Sequence, residues 1–125
     1  MEESVPTKEG IYLRDSTLYV VGSRAIAKVS SALASESRAK ILVILQKGPT
    51  DLEDIATLIN QSKANVSSQI RKLEEAGIVR SHYIPGQRGI KKVVELTINK
   101  IVFMITPEQE RGATSPAAGQ ESKKA

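Results

Sequence analysis

Side chains that can bind an anion are concentrated in about a quarter of this 125-residue chain, between positions 62 and 92. This stretch holds seven Lys or Arg residues against two Glu residues, a net charge of +5, while the whole chain carries +4. Ser, Asn and Gln side chains lie among the bases, and these side chains both donate and accept hydrogen bonds. Such a set can contact a polyanion such as a nucleic acid, although a solvated basic face would have the same composition.

The composition disfavours other kinds of chemistry. Cysteine is absent, His82 is the single histidine, and three Tyr and one Phe are the only aromatic residues. Disulfides, thiolate metal sites and cysteine nucleophiles are therefore excluded, and imidazole catalysis has almost no candidate. So few aromatic residues do not build a stacking platform for single-stranded nucleic acid. We therefore expect a small basic binding protein that is not an enzyme and that uses no cofactor and no metal.

The sequence shows no targeting or membrane signal. Its start, MEESVPTKEG, is acidic and polar, unlike a secretory or mitochondrial leader. The longest apolar run, residues 101–105, is far too short to span a bilayer. We therefore expect a cytoplasmic protein with no membrane partner.

Four helices are predicted from apolar residues that recur with the helical period. Their apolar faces are Ile26, Val29 and Leu33 in the first; Ala39, Leu42 and Leu45, widened by Ile41 and Ile44, in the second; Leu52, Ile55, Ala56 and Ile59 in the third; and Val66, Ile70 and Leu73 in the fourth. Ser35 and Ser62 are predicted to cap the second and fourth helices. Thr50 with Glu53 is predicted to form a capping box that begins the third.

Extended segments are predicted on both sides of the helices. The β-rich runs 78–84 and 90–98, separated by a glycine-containing loop over 85–89, predict a hairpin. The runs 11–13 and 18–21 predict a short N-terminal hairpin, which needs another surface to pack on. Residues 101–105 are predicted as a C-terminal strand, with a buried helical turn as the alternative.

These elements predict a mainly α fold with a small antiparallel β-sheet. Three helices followed by a hairpin have the order of a winged helix-turn-helix, here with an extra N-terminal hairpin and a C-terminal strand. We predict an arm over residues 1–21, the winged helix-turn-helix domain over residues 22–106 and a disordered tail over residues 107–125. In this fold the second helix of the helix-turn-helix pair enters the major groove of DNA.

The predicted DNA contacts lie on the fourth helix, opposite its apolar face, and on the hairpin that forms the wing. Lys63, Arg71 and Lys72 are expected to contact phosphates, since most contacts in such interfaces do. Asn65 and Ser68 are expected to contact base edges, and Arg88 is expected to enter a minor groove. Gln69 lies nearer the core. The predicted DNA-binding residues are Ser62, Lys63, Asn65, Ser67, Ser68, Arg71, Lys72, Gln87, Arg88 and Lys91.

About 65 residues, from Ala32 to Thr97, resemble a winged-helix domain of the arsenical-repressor (ArsR) type. The specific pieces are SESRAKIL at 35–42 and VSSQIRKLEEAGIV at 66–79, followed by a basic glycine-containing wing. The resemblance implies a dimeric transcriptional regulator, with the residues predicted above at the positions of the recognition helix and Arg88 at the wing tip. Metal-sensing relatives carry cysteines in the third helix and His, Asp or Glu ligands in terminal helices. Because this chain lacks those thiols and terminal histidines, we expect it to sense neither soft metals nor arsenite.

A homodimer is predicted from apolar surface that one small core does not cover. The predicted interface consists of Ile26, Val29, Leu33, Ile101, Phe103 and Ile105; packing of the last strand on the first helix within one protomer is the alternative. Two-fold symmetry would then match an inverted repeat, with helices about one DNA turn (~34 Å) apart.

The predicted function is sequence-specific binding of double-stranded DNA as a dimeric transcriptional regulator, with residues 62–76 in the major groove and residues 85–92 on the minor groove or backbone. Two alternatives stay open. One is a chromosome-coating protein without sequence preference, and the other is a winged-helix module that docks an acidic protein partner. The sequence identifies no small-molecule effector.

Overall fold

The computed structural model describes residues 5–105 of the chain. The first four residues and residues 106–125, and with them the predicted disordered tail, lie outside the described residues. Within the described range the elements are β1 (Gly10–Arg14), β2 (Thr17–Val21), α1 (Ser23–Leu33), α2 (Glu36–Leu45), β3 (Thr50–Asp51), α3 (Leu52–Ile59), α4 (Lys63–Glu75), β4 (Val79–Gly86), β5 (Gly89–Leu96) and β6 (Lys100–Met104). The predicted fold class is confirmed, and residues 101–104 are a strand.

Helix α4 is amphipathic, and the side that it buries is the predicted one. Val66, Ile70 and Leu73 have no exposed surface. Ser62 caps the helix, because its hydroxyl accepts a hydrogen bond from the backbone N–H of Asn65 at 3.1 Å. The opposite face of the helix is therefore left to solvent.

The start of α3 differs from the prediction. Asp51 caps this helix by accepting a hydrogen bond from the N–H of Asp54 at 2.9 Å, so the predicted capping box of Thr50 with Glu53 is wrong. Thr50 instead lies in strand β3, where it pairs with Val94 of β5. Because the sheet fixes the backbone of Thr50, the capping position falls one residue later.

Helix α2 is rotated relative to the prediction. Its buried residues are Arg38, Ile41 and Leu45, whereas Ala39 is exposed, so the predicted inward position of Ala39 is wrong. Almost the whole C-terminal half of this helix is apolar, and the period alone did not fix which edge of that broad face turns inward.

Two three-stranded sheets flank the helices. In the first, of order β1-β2-β6, β1 pairs antiparallel with β2 while β6 runs parallel to β2. The parallel pairing reflects the long crossover between them, which contains all four helices. The second sheet, of order β3-β5-β4, is antiparallel, and β4 and β5 form the wing.

The turn of the wing is tighter than predicted. Pairing between β4 and β5 continues through Pro85↔Ile90 to Gly86↔Gly89, so the turn consists of Gln87 and Arg88 and the predicted five-residue loop is wrong. Pro85 has no backbone N–H, and this is tolerated because β4 is an edge strand, whose outward N–H groups have no strand partner.

One hydrophobic core joins the helices to both sheets. Leu18 and Val20 of β2 belong to the same buried cluster as Val29 of α1, Ile41 of α2 and Val94 of β5. The N-terminal hairpin therefore packs on the helical body, while its separation as an arm at residue 21 stays a prediction. Within residues 5–105, no helix is long and apolar enough to cross a membrane.

Candidate nucleic-acid interface

The solvent face of α4 carries the predicted polar and basic side chains together. Lys63, Asn65, Ser68, Arg71 and Lys72 are exposed, and so are Ser62 and Ala64, while Ser67 is half-buried at the flank. The two acidic residues of the helix, Glu74 and Glu75, lie in its last turn, and Glu74 accepts a hydrogen bond from the hydroxyl of Ser81 in β4. The first three turns therefore present hydrogen-bonding groups and positive charge without a carboxylate of their own.

The connection between α3 and α4 fixes where the N-terminus of α4 lies. Asn60 ends α3 in the left-handed region, with φ 58° and ψ 50°, a conformation that Asn accepts better than most residues. The amide Nε2 of Gln61 donates a hydrogen bond to the hydroxyl of Ser37 in α2 at 2.7 Å. This bond links the α3–α4 turn to α2, so α3 and α2 together fix the position of the first residues of α4.

Arg38 holds the middle of α4 from behind, a role that the sequence reasoning missed. Its guanidinium is buried, with a relative exposure of 9% for the residue. Nε donates to the carbonyl oxygen of Ala32 at 2.7 Å, one Nη donates to that of Ser31 at 3.3 Å, and the other Nη donates to Oε1 of Gln69. These bonds link the C-terminal turn of α1 to α4.

The sequence contained a signal for this arrangement. Arg38, Ile41 and Leu45 follow the spacing i, i+3, i+7, which places a residue on the buried face of a helix whatever its type. A buried guanidinium needs several acceptors, and the free carbonyls at the end of α1 together with Gln69 supply them. The sequence predicts that Gln69 lies near the core, and in the structure it is half-buried.

The wing places Gln87 and Arg88 at its exposed tip. Lys91 lies nearer its base, where its Nζ is 3.4 Å from Oδ2 of Asp51. The pKa of Asp51 is lowered, chiefly by the hydrogen bond from the backbone N–H of Asp54 and further by Lys91, against the opposing effect of burial. This carboxylate thus joins the first turn of α3 to the wing.

Lys63 at the start of α4 is also paired. Its Nζ lies 3.0 Å from Oε2 of Glu53, in the first turn of α3. Both side chains are more than half exposed, so solvent screens the pair and it adds little stability. Among the predicted DNA-binding cations, Lys63 and Lys91 are paired, whereas Arg71, Lys72 and Arg88 make no ion pair within the described residues and are exposed.

An open cleft of about 1050 Å³ separates the start of α4 from the wing. Residues 84–92 of the wing form one side, and Asp51, Leu52, Glu53 and Lys63 line the other. Of the predicted contacts, Lys63 at the start of α4 and Gln87, Arg88 and Lys91 of the wing therefore line the same cleft. In the described part of the chain, no three His, Asp or Glu side chains are grouped so as to hold a metal ion.

The predicted dimer residues fall into three groups. Ile26, Leu33 and Ile101 are half-buried and pack against the core of the protomer. Phe103 and Ile105 are 43% and 78% exposed. Val29 has no exposed surface, so its predicted place in an interface is wrong: its side chain belongs to the protomer's own core.

Residues 35–81 match the model of a family described as bacterial regulatory protein, arsR family. An HTH-type transcriptional regulator from Methanocaldococcus jannaschii is 36% identical over 59 residues, which are 47% of this chain and 62% of that protein. The HTH-type transcriptional regulator NmtR from Mycobacterium tuberculosis is 37% identical over 73 residues, which are 56% of this chain and 61% of that protein. The chain thus spans about three fifths of the length of these curated relatives.

Solved structures show the same fold. A homodimeric winged helix-turn-helix DNA-binding domain from Mycobacterium bovis, described as a possible ArsR-family transcriptional regulator, is 26% identical with a TM-score of 0.51 and covers 58% of this chain and 63% of that chain. The reduced form of the transcriptional regulator YodB from B. subtilis is 22% identical with a TM-score of 0.51 and covers 81% of this chain and 87% of that chain.

Proposed function

Because the chain belongs to the ArsR-type winged helix-turn-helix family, we propose that it is a transcriptional regulator that binds a specific double-stranded DNA sequence as a dimer. The two curated relatives described above are named as transcriptional regulators, and the M. bovis domain is named as a homodimeric DNA-binding domain. The same function in this chain is supported by its own surface.

The solvent face of α4 is the observation that carries the proposal. Over its first three turns this face holds Lys63, Asn65, Ser68, Arg71 and Lys72, while the opposite face is fully buried. A helix that is fixed from behind and polar in front can enter the major groove with its N-terminal half. The basic residues then contact phosphates, and Asn65 and Ser68 reach base edges.

The wing completes the contact on the other side of the cleft. Arg88 at its tip enters the minor groove or binds the DNA backbone, with Gln87 beside it. Lys91 binds a phosphate as well, when that phosphate displaces the carboxylate of Asp51 from it. Each phosphate that these bases neutralise releases counterions, so binding weakens steeply as salt increases.

Dimerisation is supported by a row of apolar side chains on β6. Ile101 and Phe103 pair with Leu18 and Val20 of β2, whose side chains point into the core. Along this row the side chains become less covered, from half-buried Ile101 to Phe103 at 43% exposed, and Ile105, just beyond the end of β6, is 78% exposed. The apolar side chains at the exposed end of this row give a second copy of the chain an apolar surface to cover.

A selection of bound sequences from random duplex DNA tests specificity. A regulator binds the selected duplex roughly 10³-fold or more tighter than a scrambled one. Equal affinity for both would favour a chromosome-coating protein, and failure to bind duplex DNA at low salt would favour a module for an acidic protein partner. Arg71→Ala weakens binding to all sequences and reduces the salt slope by about 1, whereas Lys100→Ala on β6 leaves both unchanged.

Light scattering after size-exclusion chromatography tests the dimer. Phe103→Glu puts a charge on the uncovered part of the β6 row and is expected to yield monomers that remain folded, since this side chain is 43% exposed. Val43→Glu, at a 63% exposed position on α2, serves as the matched control and stays dimeric. A dimer that persists in Phe103→Glu would contradict this interface.

A further inference from the structure

The wing exposes more apolar surface than its role as a basic contact requires. Ile90 is 75% exposed, Tyr83 is 66% exposed and Ile84 is 40% exposed, and Pro85 is exposed as well. Large apolar side chains grouped on a projecting hairpin mark a contact surface, because nothing in the protomer covers them.

The register of the hairpin places one apolar pair just behind the tip. Pro85 and Ile90 are direct cross-strand partners, so their side chains lie on the same face. The next pair is Gly86↔Gly89, followed by the turn at Gln87 and Arg88. Glycines therefore flank the turn on both strands, and the residue between Arg88 and Ile90, Gly89, has no side chain.

The hairpin's own charges near this pair are all positive, and the carboxylate of Asp51 across the cleft is paired with Lys91. From Ser81 to Val94 the hairpin contains Arg88, Lys91 and Lys92 and no acidic residue. A partner that fits this tip therefore has an anionic exterior, and it has an apolar surface underneath that the tip reaches by insertion. Pro85 also removes a backbone donor from the free edge of β4, which disfavours strand pairing with a second copy at this position.

We infer that the wing inserts Ile90, backed by Pro85, between base steps of the minor groove and thereby bends the bound duplex; this inference rests on the proposed DNA-binding function. Apolar wedges of this kind, Ile and Pro among them, partly unstack a base step and kink the duplex by about 20–90°. Arg88 beside the wedge contacts the groove or the phosphates, and the exposed base faces supply the apolar surface that Ile90 covers.

The experiment measures bending and unstacking separately from affinity. The selected duplex carries a donor and an acceptor dye at its ends, and in a second set 2-aminopurine replaces single adenines along the flank that the wing reaches. The wild-type protein is expected to raise energy transfer between the ends and to raise 2-aminopurine fluorescence at one or two adjacent positions. Ile90→Ala is expected to abolish both signals while its affinity falls less than about tenfold.

Val43→Ala is the matched control, because Val43 is another exposed β-branched residue, on α2 and outside the wing. It is expected to behave as wild type in both assays. Thermal unfolding checks that Ile90→Ala is folded, and its midpoint is expected to stay close to that of the wild type because Ile90 is 75% exposed.

Each outcome decides between the two proposals. If the wild type binds the duplex without bending it, or if Ile90→Ala keeps both signals, the wedge is disproved and the DNA-binding function stands. If the wild type does not bind duplex DNA at low salt, the proposed function fails and the wedge fails with it. Flotation with phosphatidylserine vesicles that depends on Ile90, in place of DNA bending, would assign the apolar tip to a lipid surface and would also overturn the wedge.

Discussion

Helix α4 and the wing both carry exposed cations, and Lys63 of α4 and Arg88 of the wing line the same cleft, but the protein holds the two elements in opposite ways. Three side chains of α4 are fully buried, Ser62 caps its first turn and Gln69 is bonded to Arg38 behind it. The wing is anchored by the buried side chains of Val79, Val93 and Val94 and by the ion pair of Lys91 with Asp51, and from residue 82 to the tip it is otherwise largely exposed. The difference agrees with the two proposals above, under which α4 would read bases from a fixed position and the wing would add affinity and bend the DNA.

The largest expected difference between the two regions is in stability. Ile70→Ala removes a fully buried side chain behind α4 and is expected to lower the free energy of unfolding by about 2–5 kcal/mol. Ile90→Ala shortens the same residue type on the wing, where the expected change lies within about 0.5 kcal/mol. Urea denaturation measures both. Equal losses would mean that the wing is as firmly packed as α4, and the comparison would be wrong.

The next effect concerns the support of α4 at Arg38. Arg38→Met keeps most of the volume but leaves the carbonyl oxygens of Ser31 and Ala32 and Oε1 of Gln69 without their donor, at a cost of about 1–3 kcal/mol. The ratio of specific to random DNA affinity is also expected to fall, because α4 loses its link to α1. Lys40→Met, two residues along α2 and exposed, is the control for both measurements. An unchanged specificity ratio in a destabilised Arg38→Met would show that Arg38 is structural only.

The sequence predicts α4 better than it predicts the wing, and the reason is physical. The period of Val66, Ile70 and Leu73 is local information, and it is sufficient to place both faces of a helix. The turn of the wing and the short strand β3 depend on which strands pair, and that pairing joins Thr50 to Val94, more than forty residues away. The parallel pairing of β6 with β2 is likewise a property of the assembled fold.

Arg38 shows the same limit inside a helix. Its spacing relative to Ile41 and Leu45 is local and marks the position as inward, but its acceptors come from α1 and α4. Residue type alone argues for an exposed position, since arginine is rarely buried without partners. The partners exist only in the assembled fold, so the sequence could indicate the position and not its role.

A smaller effect tests the joint between α3 and the wing. Asp51→Ala removes the cap of α3 and the partner of Lys91, and is expected to lower the free energy of unfolding by about 1 kcal/mol at neutral pH. Because the pKa of Asp51 is lower in the folded state, its stabilisation is complete above the ordinary aspartate pKa of about 3.9 and is lost as the pH falls through the folded value. The difference in the free energy of unfolding between wild type and Asp51→Ala, measured in urea, is therefore expected to shrink as the pH falls below about 4.

Ser62→Ala is the matched control for this pH dependence. It removes a cap of similar strength from α4, but its hydroxyl does not titrate, so its cost is expected to stay constant over the same pH range. If the cost of Asp51→Ala were equally constant, the ionised carboxylate would not be the group that holds α3 and the wing together.

The smallest expected effect tests whether Glu53 of α3 competes with DNA for Lys63. Glu53 lies in the cleft, 3.0 Å from the Nζ of Lys63, and its carboxylate both holds that lysine and repels phosphates. Glu53→Gln is therefore expected to tighten DNA binding at low salt by up to about fivefold, which corresponds to the ~1 kcal/mol limit of an exposed pair.

Asp54→Asn, in the same turn but outside any ion pair of the described residues, is expected to change affinity less. Fluorescence anisotropy at two salt concentrations measures both variants, and the gain from Glu53→Gln should shrink at high salt. Equal effects would mean that α3 acts through net charge alone, and that Lys63 is as free to bind phosphate as Arg88 at the tip of the wing.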